Sequence, residues 1–209
     1  MKRIPILAIA LILSITACKN EKKSSETDAV TETGSSEKFI VKPEATNVKW
    51  IAYKTTDKKP VGGEFKILKF ENKTGATPQE ALNNLKFSIP VSGLFTNDAT
   101  NTRDAKIKTS FFGAMLDTDL LTGTIKVNNN VYSASITMNG VTHDLPLEVT
   151  IIEGRRVTMT GTMNLKDWNA LDALESLNKV CFDLHKGLDG VSKTWDDVAI
   201  EVNTFLRKN

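Results

Sequence analysis

From Phe39 onward, apolar and polar positions alternate in short runs rich in β-branched and aromatic residues, and that two-residue period predicts strands. Val48, Trp50 and Ala52 alternate with Lys49, Ile51 and Tyr53. Phe65 and Ile67 alternate with Glu64 and Lys66, and Phe87, Ile89 and Val91 with Ser88 and Pro90. Gly123, Ile125 and Val127 form the next such run, and Asn128-Asn129-Asn130 turns it into Tyr132, Ala134, Ile136 and Met138. Asn139-Gly140 is the strongest hairpin signal in the chain, because both residues accept positive φ. It leads into Leu145, Leu147, Val149 and Ile151. Glu153-Gly154 then turns the chain into Val157, Met159, Gly161 and Met163, and Val198, Ile200 and Val202 close it. Strands joined by tight turns pair antiparallel, and a two-faced pattern fits a barrel or a sandwich.

Three segments break the rhythm. Thr77–Leu85 and Asn101–Phe112 read as helical or irregular. Asp167–Leu184 reads as a helix, with Leu171, Leu174, Leu177, Cys181 and Leu184 at helical spacing and Asp167 or Asn169 as N-cap. The fold class is therefore all-β with minor helices.

The first residues set the compartment. Lys2 and Arg3 precede an apolar run of about a dozen residues, short of the roughly 20 that a membrane-spanning helix needs, so the pattern predicts a secretory signal peptide. Ile15-Thr16-Ala17-Cys18 resembles the lipobox of bacterial lipoproteins. That resemblance implies cleavage before Cys18, acylation of Cys18, and a membrane partner held through the lipid. Residues 1–17 are thus expected as signal peptide, 18–38 as lipidated cysteine and flexible tether, and 39–209 as the folded domain. From Lys19 to Lys38 hardly any large apolar side chain occurs, and a coil of about 20 residues spans ~25 Å. Lys19 beside Cys18 carries no aspartate-type inner-membrane retention signal, which points to the outer membrane of the cell envelope.

Lys2 and Arg3 are the only charged residues before Cys18, so beyond it 25 basic residues face 25 acidic ones. An even balance of scattered charges argues against nucleic acid as partner. With Cys18 committed to lipid, Cys181 has no internal disulfide partner. It reads as a small buried apolar residue, with a reactive thiol or a homodimer bridge as the alternative.

The order of several motifs resembles the YceI-like family of lipid- and polyisoprenoid-binding proteins. They are Gly62-Gly63-Glu64-Phe65, Phe87-Ser88-Ile89-Pro90-Val91, Arg103-Asp104 ahead of Phe111-Phe112, and Gly140-Val141-Thr142 after a strand. The likeness covers roughly Phe39 to Leu206. It implies an extended, lipocalin-like antiparallel β-barrel with one or two short helices near a mouth. Its interior would hold a long apolar lipid: a polyisoprenoid, an isoprenoid quinone or a fatty-acid derivative. The histidine common on that family's first hairpin is absent, Lys54–Pro60 standing there, and Trp168–Gly190 is longer than usual.

Candidate lining residues on the inward face are Trp50, Phe65, Phe87, Ile89, Ile125, Met138, Met159 and Met163, and methionine suits an adaptable surface. Periodicity alone leaves open whether they fill a solid core or surround a tunnel. Arg103 and Asp104 read as a salt bridge or cap, or as contacts to a ligand headgroup. Neither His143 nor His185 has metal-ligand company, and His143 and Asp144, neighbours on a strand, point to opposite faces. No nucleophile elbow, phosphate loop or Cys-x-x-Cys pair occurs. The expectation is a non-enzymatic carrier with no catalytic residue, metal or cofactor. The alternative is an interaction lipoprotein whose filled barrel acts through its outer surface.

Overall fold

The computed structural model describes residues 37–100 and 102–208. The signal peptide, Cys18 and most of the tether lie outside the described residues. Among the described residues thirteen strands form, from β1 (Phe39–Ile40), β2 (Thr46–Lys54), β3 (Lys59–Phe65), β4 (Lys69–Phe70) and β5 (Thr74–Gly75) through β6 (Lys86–Pro90) and β7 (Leu94–Phe95). They continue with β8 (Leu120–Asn128), β9 (Val131–Met138), β10 (Val141–Ile152), β11 (Arg156–Asn164), β12 (Asp197–Phe205) and β13 (Arg207–Lys208). The helices are α1 (Pro78–Leu82), α2 (Thr102–Lys106) and α3 (Leu171–Val180).

Tight turns, two residues long between β8, β9 and β10 and three between β10 and β11, set the register of the central meander. Asn129 and Asn130, Asn139 and Gly140, and Glu153 and Gly154 all take positive φ, between 49° and 70°. That conformation matches the right-handed twist of the flanking strands, and Asn and Gly adopt it at least cost. The resulting ladder runs β6–β8–β9–β10–β11–β12–β2–β3, every neighbouring pair antiparallel.

The two edges of this sheet meet. β4 prolongs the chain of β3 and pairs with β6, Phe70 facing Phe87, while β7 prolongs β6 and pairs with β3, Phe65 facing Leu94. Between the two ladders one chain advances from 65 to 69 while the other covers 88 to 94. The surplus is taken up in a 3-10 turn, Val91–Gly93. The sheet therefore curls into a barrel closed along a broken seam, the lipocalin-like architecture expected.

Antiparallel pairing sorts the connections by end. One end carries α1 and the small sheet β13–β1–β5, with Leu82, Leu85 and Leu206 fully buried. The other end carries the segment 96–119, with α2 running into a π-helical turn (Ile107–Phe111), and the segment 165–196, with α3. Phe111 and Phe112, packed edge to face at 5.1 Å, are buried there as plug residues.

The helix expected over Asp167–Leu184 is shorter than its pattern. Leu165–Trp168 forms a 3-10 turn instead, with Asn164 Oδ1 accepting from Lys166 N at 3.1 Å. Neither Asp167 nor Asn169 caps the helix: Asn169 sits at φ 53°, and the N-cap position is Ala170, without a side-chain bond. The cause is Trp168, almost completely buried, whose Nε1 donates to Ile136 O at 2.9 Å and pins the chain before a helix can begin. Leu171 and Leu184, 46% and 57% exposed, drop out of the apolar stripe. Leu174, Leu177 and Cys181 remain on its inner side.

Asn139 joins the barrel to this helical end. Its Oδ1 accepts from Leu116 N at 2.8 Å, and its Nδ2 donates to Trp168 O and Asn169 O at 3.1 and 2.9 Å. Asn139→Ala should therefore lower unfolding stability by about 2–4 kcal/mol in urea titrations, from lost bonds plus a strained φ. Asn129→Ala carries a similar φ without those bonds and should cost about 1 kcal/mol. Equal losses at the two turns would show that Asn139 does not hold the cap.

Candidate functional site

Alternation along the strands delivers the interior. Trp50 comes from β2, Phe65 from β3, Phe87 and Ile89 from β6, Ile125 from β8, Met138 from β9, and Met159 and Met163 from β11. The structure brings all eight to one elongated cavity of about 200 Å³. Side chains from both ends complete it: Leu82 and Leu85 from one, Ile107, Phe111, Leu174 and Leu177 from the other. Leu82, Leu85 and Ile107 were not singled out in the sequence, and Phe111, Leu174 and Leu177 stood out there only in a motif and a helical stripe, because nothing local shows that a short helix turns its apolar side into a lumen.

Among the described residues no charged side chain lines this cavity. Its few polar groups are largely spent on the protein. Thr46 Oγ1 donates to Lys42 O at 2.8 Å and bonds Thr204 Oγ1 at 2.7 Å, and Trp195 Nε1 donates to Thr55 O at 2.8 Å. The exception is Trp50, whose buried indole N–H has no acceptor among the described residues. Two aromatic rings lie along the wall instead of standing across the lumen. A Cβ on Gly63 would come within 2.3 Å of Trp50 Cζ2, and one on Gly123 within 2.4 Å of Phe87 Cζ. Each glycine faces its aromatic across the ladder, so the ring occupies the space a side chain would take. The volume is below the roughly 300–1,000 Å³ of pockets for compact ligands. A slender chain suits it better than a ring system.

At the helical end the cavity adjoins a recess of about 500 Å³. Trp50, Ala52, Ile107, Leu177 and Thr194 line both spaces. Beyond them the wall turns polar, with Lys54, Asp98, Arg103, Lys106, Cys181 and His185. The Arg103-Asp104 pair divides here. Asp104 is structural, its Oδ1 accepting from Thr96 N at 3.0 Å and Thr96 Oγ1 at 2.5 Å. Arg103 faces the recess, with Nη2 3.8 Å from Asp98 Oδ1.

His185 is held by a polar cluster. Thr194 Oγ1 donates to Asn178 Oδ1 at 2.7 Å. With that proton committed, Nδ1 of His185 carries the imidazole proton and donates to Thr194 Oγ1 at 2.7 Å. Burial, then the charges of Lys54 and Lys106, push its pKa from 6.5 down to about 4. Cys181 is 6% exposed, and burial raises its thiol pKa, so it sits at this mouth as a protonated apolar residue. His143 packs its ring edge-on against Trp168 at 5.2 Å, with Nε2 4.0 Å from Asp167. Among the described residues no group of His, Cys, Asp or Glu is placed to hold a metal, and no helix is long and apolar enough to cross a membrane.

A model of the YceI-like domain matches residues 39–206. Solved structures agree on the fold. A polyisoprenoid-binding domain from Saccharophagus degradans superposes with TM-score 0.60 at 12% identity, covering 83% of this chain and 99% of that one. BcnA of Burkholderia cenocepacia gives 0.50 at 15% identity, over 79% and 98%. The Campylobacter jejuni YceI protein gives 0.50 at 18%, over 72% and 86%. No curated protein matches the chain by sequence.

The sign of the His185 effect is fixed by its lowered pKa. Between pH 6.5 and about 4 the unfolded chain binds the proton that the folded one refuses. Stability is therefore full above 6.5 and lost as pH falls through that window, on the order of 2 kcal/mol. Urea midpoints at pH 7, 5.5 and 4.5 should fall less steeply for His185→Gln than for wild type. Parallel slopes would mean that His185 is not buried in its neutral form.

Proposed function

The chain belongs to the YceI-like domain family, and from that premise we propose that it carries or sequesters a long apolar lipid inside its barrel, without catalysis. The observation that carries this reading is the uncharged, elongated cavity on which all eight inward side chains converge. The Saccharophagus domain, alike in fold, is a polyisoprenoid-binding one. A polyisoprenoid, a quinone tail or a fatty acyl chain shares the required shape. Affinity comes from burying methylenes in a largely preformed tunnel, and the methionine side chains of Met138, Met159 and Met163 adjust to the branching of the guest. Acylation at Cys18 would hold the domain at the envelope, on the outer membrane, where two or more acyl chains anchor stably and one does not.

Two experiments test this. Titrating the purified protein with isoprenoid alcohols of increasing length, followed by tryptophan fluorescence, should give affinity that rises with each unit and then levels off. Five buried carbons contribute up to ~4 kcal/mol gross, and after the cost of ordering the chain the net step is roughly 1 kcal/mol, a several-fold change. Ala134→Leu, which fills part of the lumen, should bring the plateau to shorter chains while the circular dichroism stays unchanged. Flat affinity along the series would favour a filled barrel that acts through its outer surface. For the anchor, Cys18→Ser should abolish incorporation of labelled palmitate in cells, and continued labelling would place the acylation elsewhere.

A further inference from the structure

The end of the barrel opposite α2 and α3 is where the chain enters the fold, and its charge is one-sided. β1 pairs with β13, Phe39 facing Lys208 and Ile40 facing Arg207, so the segment that precedes Phe39 arrives beside the last strand. Arg155 joins the same corner: Leu206 N donates to Arg155 O at 2.9 Å, and Arg155 Nε donates to Leu206 O at 3.1 Å. Five cations gather there, Lys38, Arg155, Arg156, Arg207 and Lys208, against two carboxylates, Glu37 and Glu153. Glu153 lies 3.3 Å from Arg156, and Glu37 pairs with Lys208. Lys38, Arg155 and Arg207 therefore meet no carboxylate among the described residues. The turn after β1 adds Lys42 and Glu44, which cancel. At the far end the bias reverses: segments 96–119 and 165–196 hold ten acidic residues against seven basic ones.

The corner is also apolar. Ile152 pairs with Arg156 and Arg156 with Phe205, so the three side chains form one row across β10, β11 and β12. Val157 and Thr204, their neighbours along β11 and β12, are buried, which puts the row on the outer face. Ile152 stays 55% exposed, and Phe205 is half-buried between two guanidiniums, with Arg155 Cζ 4.5 Å and Arg207 Cζ 5.4 Å from its ring centroid. Cations set around exposed apolar side chains fit a bilayer surface, where the charges meet phosphate oxygens and the apolar groups enter between head groups. Eighteen residues separate Cys18 from Glu37, and a chain of that length reaches on the order of 25 Å. Tied so closely through this corner, the domain meets the lipid at a high effective concentration, and a weak attraction is enough to seat it.

We propose that this corner, built by Arg155, Arg156, Phe205 and Arg207 with Ile152 beside them, docks on the anionic lipid surface to which Cys18 tethers the chain. The assignment rests on the acylation of Cys18 proposed above. It adds that the domain is held in one orientation instead of turning on its tether. Strand ends 152–156 and 205–208 lie against the head groups, and the acidic end is repelled from them. At physiological salt the attraction reaches only about 8 Å, so it acts on the docked corner and not across the whole reach of the tether.

The mature chain from residue 18 with Cys18→Ser carries no acyl group, so vesicle sedimentation reads the corner alone. It should bind vesicles that contain phosphatidylglycerol, ignore vesicles of phosphatidylcholine, and come off at roughly 1 M salt, where screening shortens to about 3 Å. Arg156→Gln/Arg207→Gln should lower the partition roughly thirtyfold, about fivefold for each cation at the surface. Lys58→Gln/Lys59→Gln removes as much charge at the opposite end and should stay within about twofold of the parent chain. Ile152→Ser, at unchanged charge, should lose severalfold. Melting temperatures report whether each variant is folded. Lys38→Gln, outside the strands, repeats the test without touching the ladder and should lose about fivefold. Equal sedimentation with both lipids, equal losses from the two double variants, or binding to neither vesicle would overturn the docking surface. Acylation plays no part in this assay, so none of those results bears on Cys18, which the palmitate labelling tests separately.

Discussion

The pleat of a sheet that closes on itself governs the rest of the molecule. Successive side chains on a strand point to opposite faces, so once the sheet curls every second residue is committed to the interior. A slip of β9 by one residue against β8 would turn Ser133 and Ser135 inward and Ala134 outward, with Ile125 left in place. The tight turns at Asn129-Asn130, Asn139-Gly140 and Glu153-Gly154 hold that register, because their positive φ values leave no freedom to lengthen a loop by one. Even the seam obeys the constraint: its 3-10 turn absorbs extra residues between two ladders that each keep the pleat.

Closure also explains why the interior is hollow. Large buried side chains narrow both ends, Leu82 and Leu206 at one and Phe112 and Trp168 at the other, where the cavity still meets the recess. Between them the glycines opposite Trp50 and Phe87 let the rings lie back against the wall. Without a guest, an apolar space of about 200 Å³ would cost stability, on the order of 5 kcal/mol at the penalty observed for cavities in protein cores. A chain under selection for stability alone would fill it. A slender hydrocarbon chain lying in that space would offset much of such a penalty.

Much of this was legible in the residues. Period-two runs gave the strands of the main sheet, and turn chemistry gave the hairpins. The eight inward side chains named from alternation all reach one cavity. Cys181 also lies buried, as its apolar neighbours implied. What stayed hidden depends on long-range closure. β4, β5 and β7 are two residues each, too short for any period, so the seam could not be read. The start of α3 was misplaced because its delay comes from Trp168, anchored on a carbonyl of β9, not from a local cap. The mouth gathers Lys54, Arg103, Lys106 and His185 from three separate segments, and in the sequence only Arg103 stood out. Leu184 fits the helical spacing yet is exposed, since the chain turns away after Val180 to build the His185 cluster, and Leu171, at the start of the helix, is exposed as well.

A lumen that exists to hold a lipid should be found holding one. Extraction of the protein purified from its own cells with organic solvent, followed by mass spectrometry, is the direct measurement, with thermal melting before and after. A binding barrel predicts close to one long-chain lipid per protein and a lower melting temperature once it is removed, restored when the lipid is returned. Protein that carries no lipid, takes up none, and melts at the same temperature throughout would contradict it.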